Sequence, residues 1–178
     1  MLELQLFIDC NVCLIIFSSQ ITWLGSDNTP IHHNIETIVE TLPDGKRENT
    51  RSLLRMKMKR RHHNTSIVCQ AQNSAETSPS NTAVLLWVEY SPSVTIEQTP
   101  RVVREGNTVV FTCRGEGNPG KLTYQWFVGG KEQRLGEEES RLVMAGVGRG
   151  DNRERVQCRV TNTVGSTEET ITLNISCK

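Results

Sequence analysis

The feature that most constrains this chain is a Cys–Trp–Cys skeleton that occurs twice. In the C-terminal half, Trp126 follows Cys113 after 13 residues and Cys158 lies 32 residues further on. In the N-terminal half, Trp23 follows Cys10 after 13 residues, with Cys69 46 residues beyond it. An asparagine stands four residues after each second cysteine, in Cys69-Gln70-Ala71-Gln72-Asn73 and in Cys158-Arg159-Val160-Thr161-Asn162. Two distant cysteines with a tryptophan between them describe two sheets pinned face to face, the indole packed beside the bridge. Such wide spacing does not suit a small disulfide-dense scaffold.

The expected fold class is therefore all-β: two tandem immunoglobulin-like (I-set/C2-type) β-sandwiches, the first incomplete or irregular at its N-terminus. The expected domains are 1–90 and 91–178. Cys113 is expected to pair with Cys158 and Cys10 with Cys69, leaving Cys13 over; a Cys13 partner instead would shift that strand's register by three. Trp126 and Trp23 are the core tryptophans. Strict alternation supports the second copy. Val109, Phe111 and Cys113 share a face, as do Leu122, Tyr124 and Trp126. Val156, Cys158 and Val160 point in against outward Arg155, Gln157 and Arg159. Ile171, Leu173 and Ile175 line one face of the last strand and turn Asn174 outward, while Asn118-Pro119-Gly120 forms a turn.

In the first copy Leu6, Ile8 and Cys10 alternate, Ile67, Cys69 and Ala71 form a later strand, and Thr82 to Val88 the last, with Trp87 packed. From Asn11 to Gln20 no Pro or Gly turns the chain, so either this loop is unusual or the segment was never coding. The first domain is accordingly read from about Ile21. Ile67 and Val156 stand two residues before the second cysteines, where a tyrosine corner would need tyrosine. Glu89-Tyr90-Ser91-Pro92-Ser93 leaves almost no free linker, which predicts a semi-rigid, end-to-end pair.

Charge and motifs narrow the function. Twenty basic residues balance twenty acidic ones, so no net charge draws the chain to nucleic acid or an anionic membrane. The sequons at Asn64 (Asn64-Thr65-Ser66) and Asn174 (Asn174-Ile175-Ser176) are candidate N-glycosylation sites, and with the cysteines they point to an oxidising, secretory setting. The start, Met1-Leu2-Glu3 with Asp9 close behind, lacks the basic opening of a signal peptide, and Val12 to Phe17 is too short to span a membrane. The chain reads as truncated.

No enzyme, cofactor, metal site or small-molecule substrate is expected. Cys10 and Cys13 make a C-x-x-C without a second ligand pair. His32-His33 and His62-His63 are adjacent pairs whose side chains diverge on a strand, and are expected as solvated loop residues. Glu137-Glu138-Glu139 is an acidic turn without a cleft, Gly146-Val147-Gly148 opens no helix, and no nucleophile has a histidine partner. Arg55, Lys57, Lys59, Arg60 and Arg61 alternate with Leu54, Met56 and Met58, predicting a strand with a cationic outer side. That side is expected to be a solvated face. A weak heparan sulfate contact is its sharper alternative, which passage through a heparin column at low salt would exclude.

Several segments resemble the roughest/kin-of-irre (Kirre, Neph-like) group of immunoglobulin-superfamily adhesion receptors. They are Asp44-Gly45-Lys46-Arg47-Glu48-Asn49-Thr50-Arg51-Ser52-Leu53-Leu54, His62-His63-Asn64-Thr65-Ser66, Cys69 to Asn73, Tyr90-Ser91-Pro92-Ser93-Val94, Tyr124-Gln125-Trp126-Phe127 and Asn162-Thr163-Val164-Gly165. The resemblance runs over about residues 21 to 176 and implies the second and third of five ectodomain modules. It implies cell–cell adhesion and recognition by a single-pass receptor at the plasma membrane, binding itself or nephrin-like partners. The family's main adhesive surface lies on its first module, so no binding residue carries over. The outward residues Gln125, Phe127, Gln157 and Arg159 are the expected lateral contact face. Two other classes stay open: structural spacer modules without a recognition role, and a secreted truncated decoy.

Overall fold

The computed structural model describes residues 5–15, 19–73 and 79–176. The chain divides into two compact units, Met1–Val88 and Glu89–Lys178.

The first unit contains β1 (Gln5–Ile15), β2 (Ser19–Leu24), β3 (Pro30–Ile31), β4 (Ile35–Thr41), β5 (Arg47–Lys57), β6 (Ser66–Asn73) and β7 (Ser80–Leu85). One sheet has the order β1-β5-β4 and the other β3-β2-β6-β7, all antiparallel. β1 pairs with β5 along its whole length, from Gln5 opposite Lys57 to Ile15 opposite Arg47. Of the stretch 1–20 read from the sequence as irregular, 5–15 is thus a paired strand that includes the alternating Leu6, Ile8 and Cys10, while 1–4 and 16–18 lie outside the described residues. The hairpin between β4 and β5 follows from local chemistry. Gly45 takes φ +64°, where a Cβ would be strained, and the Asp44 carboxylate accepts from the backbone N–H of Lys46 and Arg47 at 3.0 and 3.1 Å. Those bonds stabilise the carboxylate, first the one from Lys46, and hold its pKa below the ordinary value.

Between the sheets lie Ile8, Cys10, Trp23, Leu54, Ile67, Cys69 and Leu86. Cys10 and Cys69 are bridged, with Cα atoms 6.3 Å apart. Burying Trp23 would orphan its indole N–H, but that group donates to Ser52 Oγ at 2.9 Å, itself 3.3 Å from Thr37 Oγ1.

Three expectations for this unit change. The basic run is not one strand. β5 ends at Lys57, and Arg60–His62 form a 3-10 turn. The last strand stops at Leu85, short of Val88. Trp87 is not packed but 65% exposed, because Leu86 takes the inward position and alternation leaves the next residue outward.

The second unit contains β8 (Tyr90–Thr99), β9 (Val103–Arg104), β10 (Val109–Asn118), β11 (Thr123–Val128), β12 (Lys131–Gln133), β13 (Arg141–Met144), β14 (Arg155–Thr161), β15 (Ser166–Thr172) and β16 (Ile175–Ser176). Its sheets are β13-β10-β8 and β12-β11-β14-β15, with β16 paired to β9 in parallel. The alternating residues Val109, Phe111, Cys113, Trp126, Val156, Cys158 and Val160 form its core, and Cys113 and Cys158 are bridged with Cα atoms 6.4 Å apart. The Trp126 indole N–H donates to the backbone carbonyl of Glu139 at 3.1 Å. Leu122 packs on this core but precedes β11 instead of belonging to it. The expected single last strand is two. β15 stops at Thr172, opposite Arg155 where its partner β14 begins, and the chain then crosses to β9 as β16. Leu173 and Ile175 are buried on either side of exposed Asn174.

Candidate interaction face

In β11 and β14 every second side chain enters the core, so the intervening ones share one outer face. Register then sets who meets whom. Gln125 lies opposite Arg159, and Arg159 opposite Glu168 on β15; Phe127 lies opposite Gln157, and Gln157 opposite Thr170. The four residues read from the sequence therefore form one contiguous quadrilateral across two neighbouring strands.

These residues are already engaged with one another and their neighbours. Arg159 donates from Nη2 and Nε to Glu168 Oε2 at 3.0 and 3.2 Å. Its guanidinium carbon lies 5.2 Å from the centroid of the Phe127 ring, a diagonal neighbour. Gln125 Nε2 donates to Glu132 Oε1 at 3.2 Å. An exposed ion pair contributes about 0–1 kcal/mol and an exposed cation–π contact about 0.5–1 kcal/mol, so these contacts orient the face more than they stabilise the fold. Chemically it offers a flat aromatic, amides and a balanced charge pair, suited to hydrogen bonding and packing.

The sequons sit on different supports. Asn174 is exposed between β15 and β16. Asn64 is exposed with φ +58°, a conformation asparagine tolerates better than most residues. Its backbone N–H donates to the Leu86 carbonyl at 2.9 Å, while the Leu86 N–H donates to the Thr65 carbonyl at 2.8 Å. Two residues thus face one, a β-bulge just ahead of β6.

The histidines separate into two kinds. His32 and His33 are exposed. His62 and His63 are half-buried, unlike the solvated pair expected, because the 3-10 turn folds them back. His62 Nδ1 accepts from the Lys59 N–H at 3.0 Å; burial, then the Arg61 and Lys59 charges, push its pKa below the ordinary value. His63 Nδ1 accepts from the Val88 N–H at 3.2 Å, and its ring meets Trp87 edge-on with centroids 4.6 Å apart. Among the described residues no three His, Cys, Asp or Glu side chains are grouped to hold a metal. Cys177 lies outside the described residues.

Asn162 does more than the sequence reading assigned to it. Its amide donates to the carbonyls of Tyr90 and Pro119 at 2.9 and 3.2 Å and accepts from the N–H groups of Val164 and Gly165 at 3.0 and 3.1 Å. The signal was present in the sequence, as an asparagine recurring at the same offset in both copies.

Comparison with known proteins agrees with this architecture. The family described as "Immunoglobulin domain" matches residues 91–162, and the family described as "CD80-like C2-set immunoglobulin domain" matches residues 5–80. The Drosophila melanogaster Irregular chiasm C-roughest protein is 30% identical over 182 residues, covering 89% of this chain and 24% of that protein. The Homo sapiens Kin of IRRE-like protein 1 is 35% identical over 136 residues, covering 76% of this chain and 18% of that protein. The chain thus spans about a quarter or less of the length of these relatives. The Mus musculus Cell adhesion molecule 3 is 28% identical over 161 residues, covering 89% of this chain and 40% of that protein. The crystal structure of the mouse nectin-like molecule 4 ectodomain, Ig1 to Ig3, superposes with a TM-score of 0.73 at 24% identity, covering 97% of this chain and 59% of that one. With two disulfide-pinned sandwiches, each matched by its own immunoglobulin family, this chain belongs to the immunoglobulin superfamily and is similar over most of its length to the roughest and Kin of IRRE-like proteins.

Proposed function

We propose that this chain is part of the ectodomain of a cell–cell adhesion and recognition receptor, binding proteins through sandwich faces without catalysing a reaction. The observation that carries this is the similarity to the roughest protein across 89% of the chain, through both sandwiches. The roles that follow are to hold an adhesive tip away from the plasma membrane and to make lateral contacts through Gln125, Phe127, Gln157 and Arg159. Partners in this proposal are a second copy of the receptor or a nephrin-like receptor. Heparan sulfate is not part of it, since the basic run breaks at Lys57 and Arg55 is held by Glu36 at 2.9 Å.

One observation favours a second reading, a spacer without a recognition role. The charges of the outer face are satisfied internally, Arg159 by Glu168, and need no partner. Alanine substitution of Gln125, Phe127, Gln157 and Arg159 together in the full ectodomain, followed by aggregation of ectodomain-coated beads, separates the two. Recognition through this face predicts that clustering weakens by tenfold or so, about 1.4 kcal/mol. Unchanged clustering in a folded variant leaves the spacer reading.

A further inference from the structure

Among the described residues of the first unit, Trp87 is a large aromatic that the fold leaves uncovered. It is 65% exposed, whereas Trp23 and Trp126 are each 1% exposed. A tryptophan left in water forgoes the stabilisation that burial of its large apolar surface brings, so an exposed one held in a fixed place calls for an occupant.

This indole is held in place. The register between β6 and β7, Ser66 opposite Leu85, continues past the strands through the Leu86 N–H bond to the Thr65 carbonyl. The bulge at Asn64 then lets His63 come opposite Trp87, where their rings meet edge-on at 4.6 Å and 72°. The His63 ring is itself anchored by the bond that its Nδ1 accepts from the Val88 N–H. This one edge-on contact leaves most of the indole in solvent, at 65% exposure, and so leaves a face for an occupant.

An acceptor sequon begins at Asn64, whose backbone bonds to the residue before Trp87. Asn64 is exposed, follows the residue that braces Trp87, and bonds through its backbone to the residue before Trp87. Asn64 faces Leu86 across this pairing, and directly opposite residues lie roughly 5 Å apart, so Trp87 is one residue beyond the position that Asn64 faces. The positive φ of Asn64 fixes its position in the bulge, so the linkage starts from an ordered base. The faces of a hexosamine that carry axial C–H groups are apolar, and they pack on aromatic faces as other apolar surfaces do.

We propose that Asn64 carries an N-linked glycan whose first N-acetylhexosamine packs on the open face of Trp87, so that the fold supplies the shelf and the modification covers it. This rests on the reading of the chain as an ectodomain piece that passes through the secretory pathway. The occupant belongs to the chain itself; a protein partner seated on Trp87 would be a different outcome of the test below.

The test uses the whole 178-residue chain, secreted from animal cells behind a signal sequence, with Ser176→Ala to remove the second sequon. Glycopeptide mass spectrometry reads the occupancy of Asn64. Acrylamide quenching then reads Trp87, because the other two of the three tryptophans are buried. Covering one indole face should lower the quenching constant about twofold relative to the unglycosylated Ser66→Ala chain. That difference should vanish in a Trp87→Ala background, which also shows that Trp87 is its source. An unoccupied Asn64 in the secreted chain overturns the proposal. So does an occupied Asn64 with quenching equal to that of Ser66→Ala, which leaves Trp87 open for a partner. Failure of the chain to be secreted with its two bridges formed would instead count against the ectodomain reading itself.

Discussion

Asn162 shows how one side chain can close a sandwich. Buried at 9% exposure, it joins the start of β8, the turn after β10 and the turn between β14 and β15 by four hydrogen bonds. Both its carbonyl and its amide are used, so neither alanine nor aspartate can replace it: one removes all four bonds, the other turns two donors into a charge facing two carbonyls. Asn162→Ala should destabilise the second unit by about 2–3 kcal/mol, since buried backbone groups lose their partners. Urea denaturation followed by Trp126 fluorescence measures this, and an unchanged midpoint would show that water replaces the side chain. The repeated asparagine was legible in the sequence; its partners Tyr90 and Pro119 were not, because they lie 72 and 43 residues away.

At the scale of elements, alternation placed most of the core correctly and the ends of strands poorly. A period of two depends only on the residue's own position, whereas a strand ends where its neighbour does. β15 stops at Thr172 because β14 starts at Arg155. Packing between elements also sets a demand that periodicity does not express. A Cβ at Gly115 in β10 would lie 2.8 Å from Val160 Cγ1 and 3.0 Å from Leu122 Cδ1, so only glycine lets the two sheets approach there. Gly115→Ala is expected to cost about 1–3 kcal/mol by overpacking. Gly120→Ala, where a Cβ meets nothing within 4 Å, should change stability by less than about 0.5 kcal/mol. Denaturation of the two variants side by side checks both values, and equal costs would mean that the core around Val160 yields.

At the scale of the whole molecule, each unit has its own core and its own bridge between sheets. Domains this small bury too little surface to be stable with much to spare. Closing the 45-residue separation between Cys113 and Cys158 contributes about 4 kcal/mol on the chain-entropy model. Replacing both by alanine should therefore lower the denaturation midpoint reported by Trp126. It should leave the Cys10–Cys69 bridge intact in a peptide map made without reduction. Loss of that bridge as well would mean that the first unit cannot fold without the second.

The sequence by itself determined the fold class and the residues at its centre, because a Cys–Trp–Cys spacing and a two-residue alternation are local records of a two-sheet core. It also picked out Gln125, Phe127, Gln157 and Arg159 as outward. Only the tertiary structure decided that Arg159 is held by Glu168 over Phe127, that His63 braces Trp87, and that Trp87 stays exposed. The physical reason is the same in each case. Which way a side chain faces is set by its own strand, but what it meets there is set by the register of strands that are distant in the chain.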